Sequence, residues 1–188
     1  MILLLAVACG LVAGMLRARL QQRPYRIAQL EAIELVVLGV VPQLVAFHIP
    51  GTAARFPEAL VPPLLLISQL LLLAFVWLNR RRPGFWLLGS GVLCNLLVIA
   101  LNGGWMPIAP QTVAQIALAP QQWQAGERFG LSKDRVMPAE EIRLAFLSDH
   151  LVLPWWRVAF SPGDVLLAAG VFYLLWAHGG AQEDIKEV

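Results

Sequence analysis

The sequence predicts an all-α integral membrane protein: one membrane domain over residues 1–188, with about five transmembrane helices and an irregular extracytoplasmic segment between the fourth and fifth. Three observations predict it. Apolar residues make up 59% of the chain and charged residues 14%, with a mean hydropathy of +0.68; soluble domains hold about 45–50% and about 25%. Apolar runs near the length of a span recur five times, at about 1–16, 31–49, 60–78, 84–101 and 163–178. Arginines stand in short clusters beside those runs, as topology signals do, and a net charge of +2 is too small to suggest nucleic acid.

A span takes roughly 20 residues, so the first and last runs need flanking residues or a locally thin bilayer. "MILLLAVACGLVAGML" lacks the Lys or Arg that opens a signal peptide, while Arg17, Arg19, Arg23 and Arg26 follow it. We read it as a retained first helix. Gly10 and Gly14 give it a GxxxG face, suited to close helix contact or to a membrane protein partner. At the start of the second run, Glu31 and Glu34 share a face near Arg23 and Arg26, an interfacial ion-pair arrangement; a deeper, inward-facing Glu34 would suit a proton-linked role.

The third and fourth runs are the strongest, "LLLISQLLLLAFVWL" and "FWLLGSGVLCNLLVIAL", joined by the tight turn "NRRRPG". Gln43 beside Pro42, Gln69 beside Ser68, and Asn95 place an amide near the middle of three different helices. Such groups bind helices together; clustered around a Pro42 kink, they would instead line a small polar cavity. Cys9 and Cys94 lie inside apolar runs without metal-like spacing and read as small packing residues.

The outer segment, 102–160, is the least regular part. Asn102, Gly103 and Gly104 read as the C-cap of the fourth helix, with Pro107 soon after; two glycines would also let a backbone or ligand come close. "AEEIRLAFL" from Ala139 has the spacing of a short amphipathic helix. "DHLVLPWWRVAFSPGD" is too apolar for a solvated loop and too broken by proline for a span, and is expected in the interface or packed over the bundle. "SPGD" reads as a helix start, with Ser161 capping, Pro162 at the first helical position and Asp164 two residues on. Asp164, Asp149 and His150 form the alternative outer site, which His48 could approach. A metal needs three convergent ligands, which the histidine spacing does not offer, so no metal or cofactor is predicted.

Grouping 17–26, 79–83 and the tail from 179 on one side collects eight of the fourteen basic residues. That side is expected in the cytoplasm, which places the amino terminus and 102–160 outside and the carboxyl terminus inside, in the cell membrane. Trp77, Trp86 and Trp176 then fall near the inner interface, and Trp105, Trp155 and Trp156 near the outer one.

The runs "MILLLAVACGLVAGMLRARL", "LLLAFVWLNRRRPG", "NGGWMPIAP", "RLAFLSD" and "SPGDVLLAAGVF" together resemble a family of uncharacterised bacterial multi-pass membrane proteins, a domain of unknown function with NGG-x-MP and SxGD-type motifs. A glycine is usual in it where Ser148 stands. The resemblance implies a shared fold and a bacterial membrane location, and no known activity.

No phosphate-binding loop, dinucleotide fingerprint, HExxH, GxSxG or CxxC pattern occurs, and no catalytic residue is assigned. The sequence favours first a non-enzymatic accessory, assembly or sensory-partner subunit, in contact with lipid and binding a partner through the Gly10/Gly14 face or the outer loop. The alternative is a carrier or binding protein for a small solute, ion or lipid. That role requires one cavity touching Gln43, Gln69 and Asn95. A third reading, an enzyme at the outer interface, requires Asp149, His150 and Asp164 around one pocket. The candidate outer polar site is therefore Asn102, Gly103, Gly104, Asp149, His150 and Asp164.

Overall fold

A computed structural model describes residues 2–26, 29–119 and 122–178. The carboxyl tail counted above for orientation lies outside the described residues. Five long apolar helices appear where the apolar runs fall: α1 (Ile2–Leu20), α2 (Glu34–His48), α3 (Val61–Leu78), α4 (Phe85–Leu101) and α6 (Pro162–His178). Between the last two, in chain order, lie β1 (Met106–Ile108), the short helix α5 (Pro110–Ile116), β2 (Asp134–Val136), β3 (Leu151–Leu153) and β4 (Val158–Phe160). The chain is thus mostly helical, with two small strand pairs in its outer segment.

The helix ends follow local chemistry. Prolines occupy the first turns of α3, α5 and α6, where a missing N–H costs nothing. The arginine turn 79–84 is closed by Gly84, whose φ of 85° permits the reversal. Asn79, buried, staples the turn to the start of α2: its amide donates to Glu31 O and accepts from Glu31 N, both at 2.9 Å, and donates to Phe75 O at 3.0 Å. Glu31 therefore lies in the turn before α2, one turn outside the helix expected from 31.

The helices pack in the order α1, α6, α4, α3, α2. Glycine makes the α1–α6 and α4–α6 contacts possible: a Cβ on Gly14 would press on Leu175 O at 2.5 Å, and one on Gly91 would press on Gly163 O at 2.6 Å. Gly10 and Gly14 are consequently covered by α6 of the same chain, so the GxxxG face serves internal packing and offers no surface to a partner. Two apolar clusters fill the bundle: Val61, Leu65, Val98, Ile99, Trp105 and Met106 near one pole, and Phe75, Val76, Phe85, Leu88, Val92 and Leu174 near the other. At the second pole Arg17 lies over the Trp176 ring at 4.2 Å and donates to Trp176 O, and Arg80 lies over Trp77.

At the first pole the outer segment folds over the bundle around Ile108, Val113, Ile116 and Val136. β1 and β2 pair in parallel with Met106 opposite Asp134, and β3 and β4 pair antiparallel with Leu151 opposite Phe160. Three sequence expectations are corrected here. "AEEIRLAFL" forms turns and one 3₁₀ turn at Ala145–Leu147, because Leu144 takes a left-handed conformation and Asn102 captures both Arg143 backbone groups. Trp105 is buried beneath Arg135, whose guanidinium carbon lies 5.2 Å from the ring centroid, and is no interface residue. Cys9 is exposed on α1, while Cys94 is half-buried.

Candidate functional site

The exit of α4 accounts for the first half of the expected outer site. Gly104 N donates to Ile99 O at 2.9 Å, and Gly103 and Gly104 both have positive φ, so this is a helix-closing turn of the kind expected. Gly104 serves close approach as well, since its position faces Pro62 with no room for a Cβ. Asn102 is buried, and its side chain donates to Val98 O at 2.7 Å and Arg143 O at 2.9 Å while accepting from Arg143 N at 3.0 Å. Asn102 and Gly103 edge a separate depression beside Arg135 and Glu141. They do not meet Asp149 or Asp164 around one volume.

The start of α6 is a reciprocal cap. Ser161 Oγ accepts from Asp164 N at 3.0 Å, and an Asp164 carboxylate oxygen accepts from Ser161 N at 3.2 Å. The cap reaches across to α4: Ser161 Oγ donates to Asn95 Oδ1 at 2.9 Å, and Asn95 Nδ2 donates to Asp164 at 3.0 Å. Gly163 makes this possible, because any Cβ there would overlap the Asn95 amide. Both Asp164 oxygens are therefore engaged.

Asp149 is placed by the strands. Its backbone N donates to Pro107 O of β1, and β2 alongside places its first residue, Asp134, and the preceding Lys133 near it. The loop before β2 is shaped by Arg128, which donates to Leu131 O and Ser132 O at 2.6 and 2.7 Å, and by Gly130 with φ 58°. Lys133 Nζ then lies 2.7 Å from Asp149 Oδ2 and 3.0 Å from Asp134 Oδ1. Asp149 is 2% exposed, and its other oxygen, Oδ1, has no partner.

These groups meet the amides of the long apolar helices. One cavity of about 390 Å³ is walled by Gln43 of α2, Gln69 of α3, Asn95 of α4, Asp164 of α6, and Lys133, Asp134 and Asp149 of the outer segment. His48, Ser132 and apolar side chains that include Phe47, Leu65, Leu72 and Phe160 also line it. Gln43 Nε2 donates to Gly39 O at 3.2 Å. Gln69, 7% exposed, leaves Oε1 without a partner. His150 stays outside, exposed, with its ring bonded to Ser148 O at 2.9 Å.

The electrostatics follow from this crowding. Burial pushes the Asp149 carboxyl well above the usual range; the Lys133 ammonium pulls it back, and Asp134 and Asp164 push it up again. Burial pulls Lys133 down, but Asp134, Asp149 and Asp164 together outweigh it and raise its pKa. Lys133 thus stays an ammonium. Among the described residues no group of three His, Cys, Asp or Glu side chains is placed to hold a metal ion.

Sequence reasoning missed Lys133, Asp134 and Ser132 of this site. The signal was the adjacent opposite charges of "GLSKD" just after a turn glycine; what places them is the pairing of β2 with β1, which is not local.

The Family of unknown function (DUF5317) matches residues 27–176. The chain belongs to the DUF5317 family. An uncharacterised protein of Thermotoga maritima is 33% identical over 134 residues, covering 69% of this chain and 71% of its own length. No solved structure matches. Every cavity residue named here, from Gln43 to Asp164, falls inside the DUF5317 match.

Proposed function

We propose that the chain is a multi-pass protein of the cell membrane that holds a small polar solute in the cavity among its helices. The single observation that carries the reading is that cavity. It brings the mid-helix amides Gln43, Gln69 and Asn95 and the acidic group of the outer segment to one volume, and leaves two buried oxygens without partners. A buried acceptor without a partner costs about 1–3 kcal/mol, so a ligand donor there has a gain waiting for it. The volume lies within the range of small-molecule sites.

The membrane reading is supported by the outward faces of the helices. Leu4, Leu20, Leu38, Ile67 and Trp86 are each more than half exposed. In water so much apolar surface is an aggregation hazard; in lipid it is an ordinary wall. The helix α1 and the stretch Glu58–Leu78 are long and apolar enough to cross a bilayer, and α2, α4 and α6 are shorter apolar helices. The orientation proposed has the arginine pole in the cytoplasm and the cavity's acidic end outside. The Gly10/Gly14 face lends a partner role no support, since α6 already covers it, which leaves the outer loop as the surface such a role would use.

The test is ligand-dependent stability of the detergent-purified chain, screened with small amines, alcohols and carboxylates. A solute that raises the melting temperature of the native chain, and not that of Gln43→Trp, which fills the cavity, supports the reading. If no solute distinguishes the two proteins, the reading is wrong.

A further inference from the structure

The cavity's chemistry names a class of solute, an inference that rests on the binding role just proposed. We propose that the ligand is a small organic cation: a protonated amine with a short apolar body.

The site already holds one ammonium. Lys133 Nζ sits between Asp149 Oδ2 and Asp134 Oδ1 at 2.7 and 3.0 Å, so the carboxylate spacing accepts an R–NH₃⁺ group. What remains open is of one kind. Of the two buried atoms without partners, Gln69 Oε1 can only accept, and Asp149 Oδ1 accepts from a cation that holds its carboxyl ionised. An ammonium brings three donors, whereas a carboxylate or phosphate brings none. Charge points the same way even with Asp149, whose carboxyl burial pushes up, left out of the count: Asp134 and Asp164 face the cavity against the single ammonium of Lys133, with His48 the other titratable group on its wall. A second cation balances the excess acid; an anion adds to it.

The remaining wall is apolar. Leu65, Leu72 and Phe160 line the same cavity and suit a short hydrocarbon body. A divalent metal is disfavoured by the ligand set, since among the described residues no three His, Cys, Asp or Glu side chains come together to hold one.

The experiment is calorimetric titration of the full chain in detergent near neutral pH with n-butylamine, n-butanol and butyrate, three ligands of similar size and different charge. The expected result is that butylamine binds and butyrate does not. Asp149→Asn and Gln69→Leu should each weaken butylamine about tenfold or more, the worth of one hydrogen bond to a charged group. Any affinity for butanol, whose single neutral donor makes a weaker bond, should fall less than that for butylamine. Gln69→Leu replaces an unpartnered acceptor with a side chain of similar size, and so tests the site even where Asp149→Asn fails to fold. If butanol or butyrate binds as tightly as butylamine, and Gln43→Trp abolishes that binding, the cavity is a site but the cation assignment is wrong. If butylamine binds unaffected by both Asp149→Asn and Gln69→Leu, the assignment is equally overturned. If none of the three binds, the binding role falls with it.

Discussion

Removing the Ser161 hydroxyl tests the junction that fixes Asn95 and Asp164 on the cavity wall. Ser161 is fully buried, and its hydroxyl serves two partners at once. As a cap it accepts from Asp164 N, and such caps are worth about 0.5–2 kcal/mol. The lower part of that range applies, because Asp164 N keeps a second acceptor in Ser161 O at 3.1 Å. As a donor it satisfies Asn95 Oδ1, and orphaning a buried acceptor costs about 1–3 kcal/mol. Ser161→Ala should therefore destabilise the chain by about 1.5–4 kcal/mol, read from chemical denaturation in mixed micelles followed by circular dichroism. Ser90→Ala is the control, since the Ser90 hydroxyl donates only to Trp86 O on an exposed face of α4. In an Asn95→Leu background the Ser161→Ala cost should shrink to the cap alone, about 0.5–1 kcal/mol. If Ser161→Ala costs no more than Ser90→Ala, the bridge between α4 and α6 has been misread.

The two glycines after Asn102 should separate. Gly103→Ala meets open space and carries only the left-handed penalty of about 1–2 kcal/mol, whereas Gly104→Ala must also displace Pro62, so its melting temperature should fall further. Asn79→Ala removes both bonds to Glu31 and should cost about 1–3 kcal/mol, measurable by the same denaturation assay. The pH dependence has a definite sign. Asp149 is raised in the folded chain, so its contribution is present below the ordinary carboxyl value of 3.8 and is lost as pH rises through its folded value. Lys133 is also raised, so its contribution holds below 10.5 and is lost as pH climbs through its higher folded value. Melting temperature should thus decline from acid toward neutral pH, and Asp149→Asn should flatten that decline while leaving the alkaline loss.

Helix placement was legible because it rests on local composition. The fourth run, expected over 84–101, forms at Phe85–Leu101, and the "SPGD" cap forms with the partners its residue types dictate. The NGG turn also closes its helix as expected. What failed depended on contacts distant in sequence. The helix expected from Ala139 is lost to Asn102, which lies about forty positions earlier and takes the Arg143 N–H and C=O. Trp105 has the composition of an interface residue but is drawn into the core by the turn that precedes it. The candidate site divided along the same line. The amides Gln43, Gln69 and Asn95 were visible as polar residues in apolar runs, and they do share one cavity with Asp149 and Asp164. Lys133 and Asp134 were not visible, because only the pairing of β2 with β1 brings them there. His150, adjacent to Asp149, points elsewhere because its ring is held by Ser148 O.

The cavity's reach and charge can be read in one labelling experiment. Leu72→Cys, in a chain with Cys9→Ala and Cys94→Ala, places a single thiol on the cavity wall and leaves both unpartnered oxygens in place. Its modification is then timed with ethylammonium, neutral methyl and ethylsulfonate methanethiosulfonates of similar size. The account predicts fastest reaction with the ammonium reagent, slowest with the sulfonate, and slowing of the ammonium reagent by n-butylamine. Equal rates for all three reagents, with no protection by butylamine, would contradict it.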